Sequence, residues 1–237
     1  MKSFSTIAFA LLLVVQAAWS QQRRTKTNLE EEGEDYATIT TYGVTTNTNS
    51  GLLGGLVFRH STRLENELFG RRQYRYLGLE LVNVRHPKEL SQSSNTGSRF
   101  TPGKQNYLFV LRPQYGREII LSNRNNDEGI SINGIVAVGA SLGILKPYFI
   151  QYQVRPRVVR TEAFDPVKHT DLGNILGSGN LLQGLGSSKI VPGVNAKIAF
   201  SFELSAFRSN LTGLEVGFLT ELFSKAPVII PFAENCS

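Results

Sequence analysis

The sequence has a single cysteine, Cys236, which lies next to the C-terminal residue. One cysteine cannot form a disulfide within the chain, so a small secreted fold held together by disulfides is excluded. No apolar run approaches the roughly 18 residues that a membrane-spanning helix requires, which excludes a helical membrane protein. The formal net charge of +6 is spread along the chain. No run interleaves basic and aromatic residues, so no nucleic-acid partner is expected.

The N-terminus has the pattern of an export signal. Lys2 precedes the nine-residue apolar run 7–15, and Ala18 and Ser20 supply small side chains at the −3 and −1 positions of a cleavage site. This pattern predicts a cleaved signal peptide over residues 1–20. Residues 21–35 contain one apolar side chain, which is too little buried surface to offset the entropy of ordering. We therefore expect a flexible periplasmic tail there and a β-barrel over residues 36–237.

From Tyr36 onward the chain is rich in Val, Ile, Thr, Tyr and Phe, and apolar and polar residues alternate with a period of two. Such alternation is typical of strands with one apolar and one polar face. In the stretch around Lys197, for example, Ile198 and Phe200 fall on the face opposite Lys197 and Ser201. Seven strands are predicted, near residues 36–47, 52–64, 73–85, 104–116, 130–153, 189–206 and 211–224.

Three features favour a membrane barrel over a soluble sandwich. The predicted strands reach the roughly 9 to 11 residues of a transmembrane strand, aromatic residues gather near the strand ends, and short and long connections alternate. Three turns would face the periplasm, at 65–72, 117–129 and 207–210. Three other segments would face outward, at 86–103, 154–188 and 225–237. The pattern predicts an all-β fold, an antiparallel up-and-down transmembrane β-barrel of about eight strands in the outer membrane.

Seven strands leave this barrel one strand short. Bacterial single-chain barrels have even strand numbers, and a sheet with free edges cannot span a membrane. After Phe223 the chain offers only SKAPVIIPFAENCS, in which Pro227 and Pro231 disfavour a strand. We therefore expect the last, closing strand to be missing from this sequence. The alternative is that the run VIIPFA is itself a short eighth strand.

Several segments resemble a known family. They are LGLELVNVRHPKE (77–89), GKQNYLFVLRPQYGRE (103–118), GNILGSGNLLQGLG (173–186) and the strand PGVNAKIAFSFE (192–203). Over about residues 36–224 the chain resembles an uncharacterised outer-membrane β-barrel family of Bacteroidota. The resemblance implies an outer-membrane location and a compact barrel. Related small barrels include outer-membrane components of the gliding and type 9 secretion machinery.

Charged residues of both signs fall on the predicted inward face. The interior of an eight-stranded barrel is just wide enough for side chains to fill, so these residues should pair and leave no pore. The alternative for them is a proton or ion path. The expected interior network consists of Arg59, Glu80, Arg112, Lys197, Glu203, Glu215 and Glu221.

The sequence predicts no catalytic, cofactor or metal site. His60, His86 and His169 fall in different segments, so no serine–histidine–carboxylate triad is expected. One loop contains three potential metal ligands, Asp165, His169 and Asp171, but without a fixed fourth ligand they indicate a polar turn.

The predicted outer loop 154–188 is unusually apolar for a segment in water. Exposed apolar groups of this kind often mark a contact surface. The loop should either pack over the barrel mouth or bind a protein partner, through Leu172, Ile175, Leu176, Leu181, Leu182 and Leu185.

The function expected from the sequence is therefore a non-enzymatic outer-membrane barrel with a structural, assembly or interaction role, in contact with outer-membrane lipids. A soluble, secreted lipocalin-like binding barrel is the second hypothesis. An outer-membrane lipid hydrolase is the third, because small barrels can carry a triad at the rim.

Overall fold

The computed structural model describes residues 16–25, 37–47, 51–68, 70–122, 130–207 and 210–231. These residues form strands, turns and two short 3₁₀ helices, Leu172–Asn174 and Leu185–Ser187. The strands are β1 (Gln16–Thr25), β2 (Thr38–Asn47), β3 (Gly51–Arg63), β4 (Gln73–Val84), β5 (Gln92–Ser93), β6 (Arg99–Phe100), β7 (Asn106–Ser122), β8 (Ile130–Pro147), β9 (Phe149–Arg155), β10 (Val158–Ala163), β11 (Ile175–Ser178), β12 (Lys189–Phe207) and β13 (Asn210–Phe223).

Eight of these strands form one antiparallel ring in the order β1-β13-β12-β8-β7-β4-β3-β2. Each strand pairs with its neighbours along the ring, and β1 pairs with both β2 and β13. The predicted all-β, antiparallel up-and-down architecture is confirmed. No helix in the described ranges is long and apolar enough to cross a membrane.

The predicted strand 130–153 is two strands in the structure. β8 ends at Pro147, which has no N–H with which to continue the ladder. β9 leaves the ring and forms a small sheet in the order β10-β9-β11. β7 is longer than predicted and continues to Ser122.

The closing strand differs from the expectation. The expectation that this strand is missing is wrong, because β1, near the N-terminus, occupies the place between β13 and β2. Residues 16–20 of β1 belong to the predicted signal peptide and 21–25 to the predicted tail, so cleavage after Ser20 would leave five residues of this strand. The composition of residues 21–35 predicts a tail because it describes that segment alone. The unpaired edges of β2 and β13, which require a partner, lie far away in the sequence. Residues 1–15 and 26–36 lie outside the described residues.

The run VIIPFA does not form the alternative eighth strand, since Val228–Pro231 are irregular. Phe232 and Ala233 lie outside the described residues. Residues 224–231, here called the mouth segment, instead fold back over one end of the barrel. The Ile229 carbonyl accepts hydrogen bonds from the Gln105 and Asn106 N–H groups, at 2.8 and 3.3 Å.

The two long connections lie at one end of the barrel, here called the long-loop end, as predicted, but the short link between β2 and β3 lies at the same end. The cap consists of the segments 85–105 and 148–188. It lies at the long-loop end, together with the mouth segment. At the opposite, short-turn end β3 is followed by β4, β7 by β8 and β12 by β13. Residues 69, 123–129 and 208–209 lie outside the described residues. The cap has its own small core, consisting of Phe100, Tyr148, Ile150, Phe164 and Ile175.

Candidate functional site in the barrel interior and the cap

The inward face of the barrel is polar in its middle third. On β12, residues Asn195, Lys197 and Ser201 are buried, whereas Ile198 and Phe200 between them are exposed. A strand alternates its side chains between the two faces of a sheet, so the register that turns Lys197 inward turns Ile198 outward. β4 follows the same rule, with Glu80 buried and Leu79 and Leu81 exposed.

Seven interior side chains form a linear series of alternating charge. Arg112 contacts Glu221 at 2.8 Å and Glu80 at 3.6 Å. Lys197 contacts Glu80 at 2.8 Å and Glu215 at 2.5 Å. The series continues from Glu215 to Arg59 at 3.3 Å and from Arg59 to Glu118 at 3.9 Å. It joins five strands, β3, β4, β7, β12 and β13.

The series crosses the lumen. Glu80 and Arg112 are directly opposite on adjacent strands, but Lys197 lies on β12, separated from β4 by β7 and β8. The Lys197–Glu80 contact therefore reaches from one wall to the other. Each charge is held by one or two opposite charges, which offsets the cost of removing it from water.

Six of the seven residues predicted for the interior network belong to this series directly, and Glu203 joins it through Asn133. The Asn133 amide donates to Glu118 at 3.0 Å and to Glu203 at 3.1 Å. Glu118 is absent from the predicted network because the predicted strand ends at residue 116. The inward alternation of Arg112 and Gln114 continues to Glu118 and could have identified it.

Neutral side chains fill the space between the charges. The Tyr76 hydroxyl donates to Gln114 at 3.4 Å, and the Gln114 amide donates to Asn195 at 3.1 Å. Gly78 makes room for this ring, since a Cβ atom there would lie 2.7 Å from the Tyr76 hydroxyl oxygen. These polar residues are absent from the predicted network because none of them carries a charge.

Apolar layers lie at both ends of the polar interior. At the short-turn end Ile39 and Tyr74 pack with Ile120. At the long-loop end Ile229 of the mouth segment packs among inward-facing residues of the barrel wall. This second layer consists of Val82, Leu108, Val110 and Ile229, with Val84, Leu145, Phe223 and Ile230 packed against it. The ion pairs are thus enclosed between two apolar layers.

The outer wall of the barrel is apolar. Large apolar side chains are exposed on every barrel strand whose side chains the structure describes. They are Tyr42, Val44, Leu56, Phe58, Leu77, Leu79, Leu81, Tyr115, Leu121, Ile130, Val136, Val138, Leu142, Ile190, Val194, Ile198, Phe200, Phe218 and Leu222. The barrel therefore has the inverse of the polarity of a protein folded in water.

The apolar residues predicted in the outer loop divide into two groups. Ile175 is buried in the core of the cap, and Leu176 is half-buried. The Leu176 carbonyl accepts hydrogen bonds from Ser94 and Thr96, which joins the two segments of the cap. The remaining residues, Leu172, Leu181, Leu182 and Leu185, are exposed. Binding of a protein partner by this loop stays a prediction.

His169 is fully buried in the cap, between the rings of Phe164 and Tyr152. The Asp165 N–H donates to its Nδ1 at 2.9 Å, and its Nε2 lies 3.0 Å from a Glu162 oxygen, an arrangement that fits a ring proton on Nε2. Asp171 does not approach this ring, and its carboxylate instead accepts from Gly173 and Asn174. The described residues contain no group of three metal-ligating side chains.

The cap should loosen at acid pH through Glu162. Hydrogen bonds from Lys168, and then from His169, lower the pKa of this carboxyl. A carboxyl whose pKa is lowered by folding stabilises the fold above its ordinary pKa, and this stability is lost as the pH falls through the lowered value. We expect exchange of the Asp165 amide, corrected for its intrinsic pH dependence, to accelerate below about pH 4. Glu162→Gln should remove this dependence, whereas Glu65→Gln at the short-turn end should leave it intact. An equal pH dependence in the Glu162→Gln variant would contradict the assignment.

The other two histidines have different partners. His60 shares a hydrogen bond of 3.1 Å with Thr40, and Nδ1 of His86 accepts the Lys88 N–H at 3.1 Å. In the described parts of the chain, the hydrogen-bond partners of the three histidines thus include no serine. The non-enzymatic function stays a prediction.

Comparison with known proteins gives no family. No model of a known protein family matches the chain. No curated protein matches it either. The resemblance to the Bacteroidota barrels therefore stays a prediction.

Proposed function

We propose that the chain is an integral outer-membrane β-barrel with a structural, assembly or interaction role. The inverted polarity of the barrel supports this proposal most strongly. In water, exposed Ile198 and Phe200 would cost free energy, and so would buried Lys197, whereas in hydrocarbon the apolar wall meets an apolar solvent. Membrane barrels have an apolar outer band and a polar interior.

The strand lengths fit the same environment. β2, β4 and β13 contain 10, 12 and 14 residues, and a tilted strand needs about 9 to 11 residues to cross the hydrocarbon. Tyr42 and Tyr115 lie on the outer wall, but in the middle of β2 and β7 rather than at the strand ends, where aromatic girdles meet the lipid headgroups.

The filled interior favours an anchoring role over transport. The ion-pair series crosses the lumen, and apolar layers lie at both of its ends. A barrel of this kind would hold the cap at the membrane surface rather than conduct solutes. The same interior argues against the soluble lipocalin-like alternative, in which the barrel encloses a ligand cavity.

Fractionation of cells that express the full chain tests the proposal. We expect the protein in the membrane pellet, resistant to extraction by high salt and by alkaline carbonate, and released only by detergent. In detergent, the unboiled protein should migrate on a gel at a different position from the boiled protein, because the closed barrel resists the denaturing detergent. Recovery of a folded protein in the soluble fraction, without detergent, would refute the membrane location.

A further inference from the structure

Lys146 is a buried cation on the outer wall of the barrel. It follows Leu142 and Ile144 in alternation on β8, which places it on the outward face near the long-loop end. Its side chain is nevertheless only 1 % exposed, and among the described residues its ammonium group has no hydrogen-bond partner. Burying an ammonium group is costly unless an acceptor satisfies it. The arrangement therefore points to an acceptor that a ligand would supply.

The neighbours of Lys146 form a row across three strands. Tyr107 is directly opposite on β7, and its ring centre lies 4.9 Å from the Lys146 ammonium. On the other flank Leu145 pairs with Lys189 of β12, so Ser188 is the residue next to Lys146. The Ser188 hydroxyl is also buried and has no partner among the described residues. Ser188 lies one residue before β12, and continuing the antiparallel register by one residue brings its hydroxyl to the same face as the Lys146 ammonium.

The local charge is positive. The ammonium of Lys104 lies 4.2 Å from the same Tyr107 ring. Glu89 neutralises Lys104 at a distance of 2.7 Å, and burial lowers the pKa of Lys104 despite this contact. Glu89 thus offsets one of the two ammonium charges and leaves that of Lys146, with Arg85 adding a further positive charge to this neighbourhood.

We infer that Lys146 and Ser188 bind a phosphate group at the long-loop end of the outer wall, beside the ring of Tyr107. Phosphate oxygens are strong acceptors, and a lysine binds them as a point charge. The site borders exposed Leu142 and Ile190, at the edge of the apolar wall. The phosphate group comes either from a lipid headgroup or from free phosphate. The lipid source rests on the proposed membrane location, whereas binding of free phosphate does not.

Two binding experiments on the full chain test the site. The first titrates inorganic phosphate into the protein in nonionic detergent and follows binding by calorimetry. The second compares the thermal stability of the protein in phosphatidylcholine nanodiscs with and without phosphatidic acid. Binding in the first experiment identifies free phosphate as a sufficient ligand. Stabilisation by phosphatidic acid alone identifies the headgroup.

Lys146→Gln should weaken binding in the responding experiment by about tenfold or more, since a hydrogen bond to a charged group is lost. Lys189→Gln removes the same charge from an exposed residue next to Ser188 and should change binding less than about twofold. Ser188→Ala removes only the hydroxyl and should weaken binding severalfold, which tests the site even if the Lys146 variant does not fold. The inference is overturned if the wild-type protein responds in neither experiment, or if the Lys146 and Lys189 variants lose binding equally. A protein that is soluble without detergent but still binds phosphate would refute the membrane proposal and retain the site.

Discussion

Lys197→Met should lower the free energy of unfolding by about 3 to 5 kcal/mol, the usual cost of removing one partner from a buried ion pair. Lys197 lies between Glu80 and Glu215 in the centre of the lumen. Without its ammonium group, both carboxylates would lose an opposite charge while they remain out of contact with water. The effect should appear as a lower urea midpoint for the change from folded to unfolded migration on a gel.

The matched control is Lys189→Met on the same strand. Lys189 is exposed, so this change should alter stability by no more than about 0.5 kcal/mol. The double variant Lys197→Met with Glu80→Gln should recover part of the loss, because it removes one charge of each sign. If Lys197→Met is as stable as the control, the ion-pair series does not support the interior.

Ile198→Arg should destabilise the barrel by about 2 to 4 kcal/mol in a lipid bilayer, the cost of arginine on the lipid face at the midplane. Ile198 is 59 % exposed and lies near the middle of β12, where it pairs with outward-facing Val136 and Phe218. In hydrocarbon the guanidinium would lose its hydration without gaining a partner. Reversible unfolding in lipid vesicles measures the difference.

The control is the same substitution at Ile190, eight residues toward the long-loop end of the same strand. Ile190 is 69 % exposed, and arginine at the depth of the headgroups should cost only about 0 to 1 kcal/mol. Since both residues are exposed, the difference between the stability losses of the two variants reports depth in the membrane and not exposure. If the outer wall faced water, both substitutions would change stability by less than about 0.5 kcal/mol, and the membrane proposal would fail.

The sequence predicts the faces of the barrel strands well because their alternation is strict. The residues around Lys197 and Glu80 keep charged and apolar side chains on opposite faces, and the hydrogen-bonded register preserves this separation in the structure. The identity of the interior residues follows from parity alone. The ion pairs between these residues do not follow from the alternation. Lys197, for example, contacts Glu80 across the lumen, and the width of the lumen depends on closure of the ring.

Other parts could not be predicted because tertiary contacts determine them. The polar composition of β1 indicates no strand, and only the free edges of β2 and β13 give it partners. Residues 149–155 alternate as well as the preceding strand does, yet β9 pairs with β10 and β11 outside the ring. The mouth segment contains two prolines, which argue against a strand but do not show that Ile229 packs against the barrel interior.

The pairing of the first strand with the last has a consequence for biosynthesis. Gln21 lies opposite Thr212, so the ring can close only after almost all of its strands have been made. Until then the growing sheet would have unpaired backbone groups at its edges, which favour aggregation. Contacts so distant in sequence also slow folding, because a large loop must close before any of them is gained. Closure of this seam should therefore be the slow step in assembly, and the step at which a chaperone would be most needed.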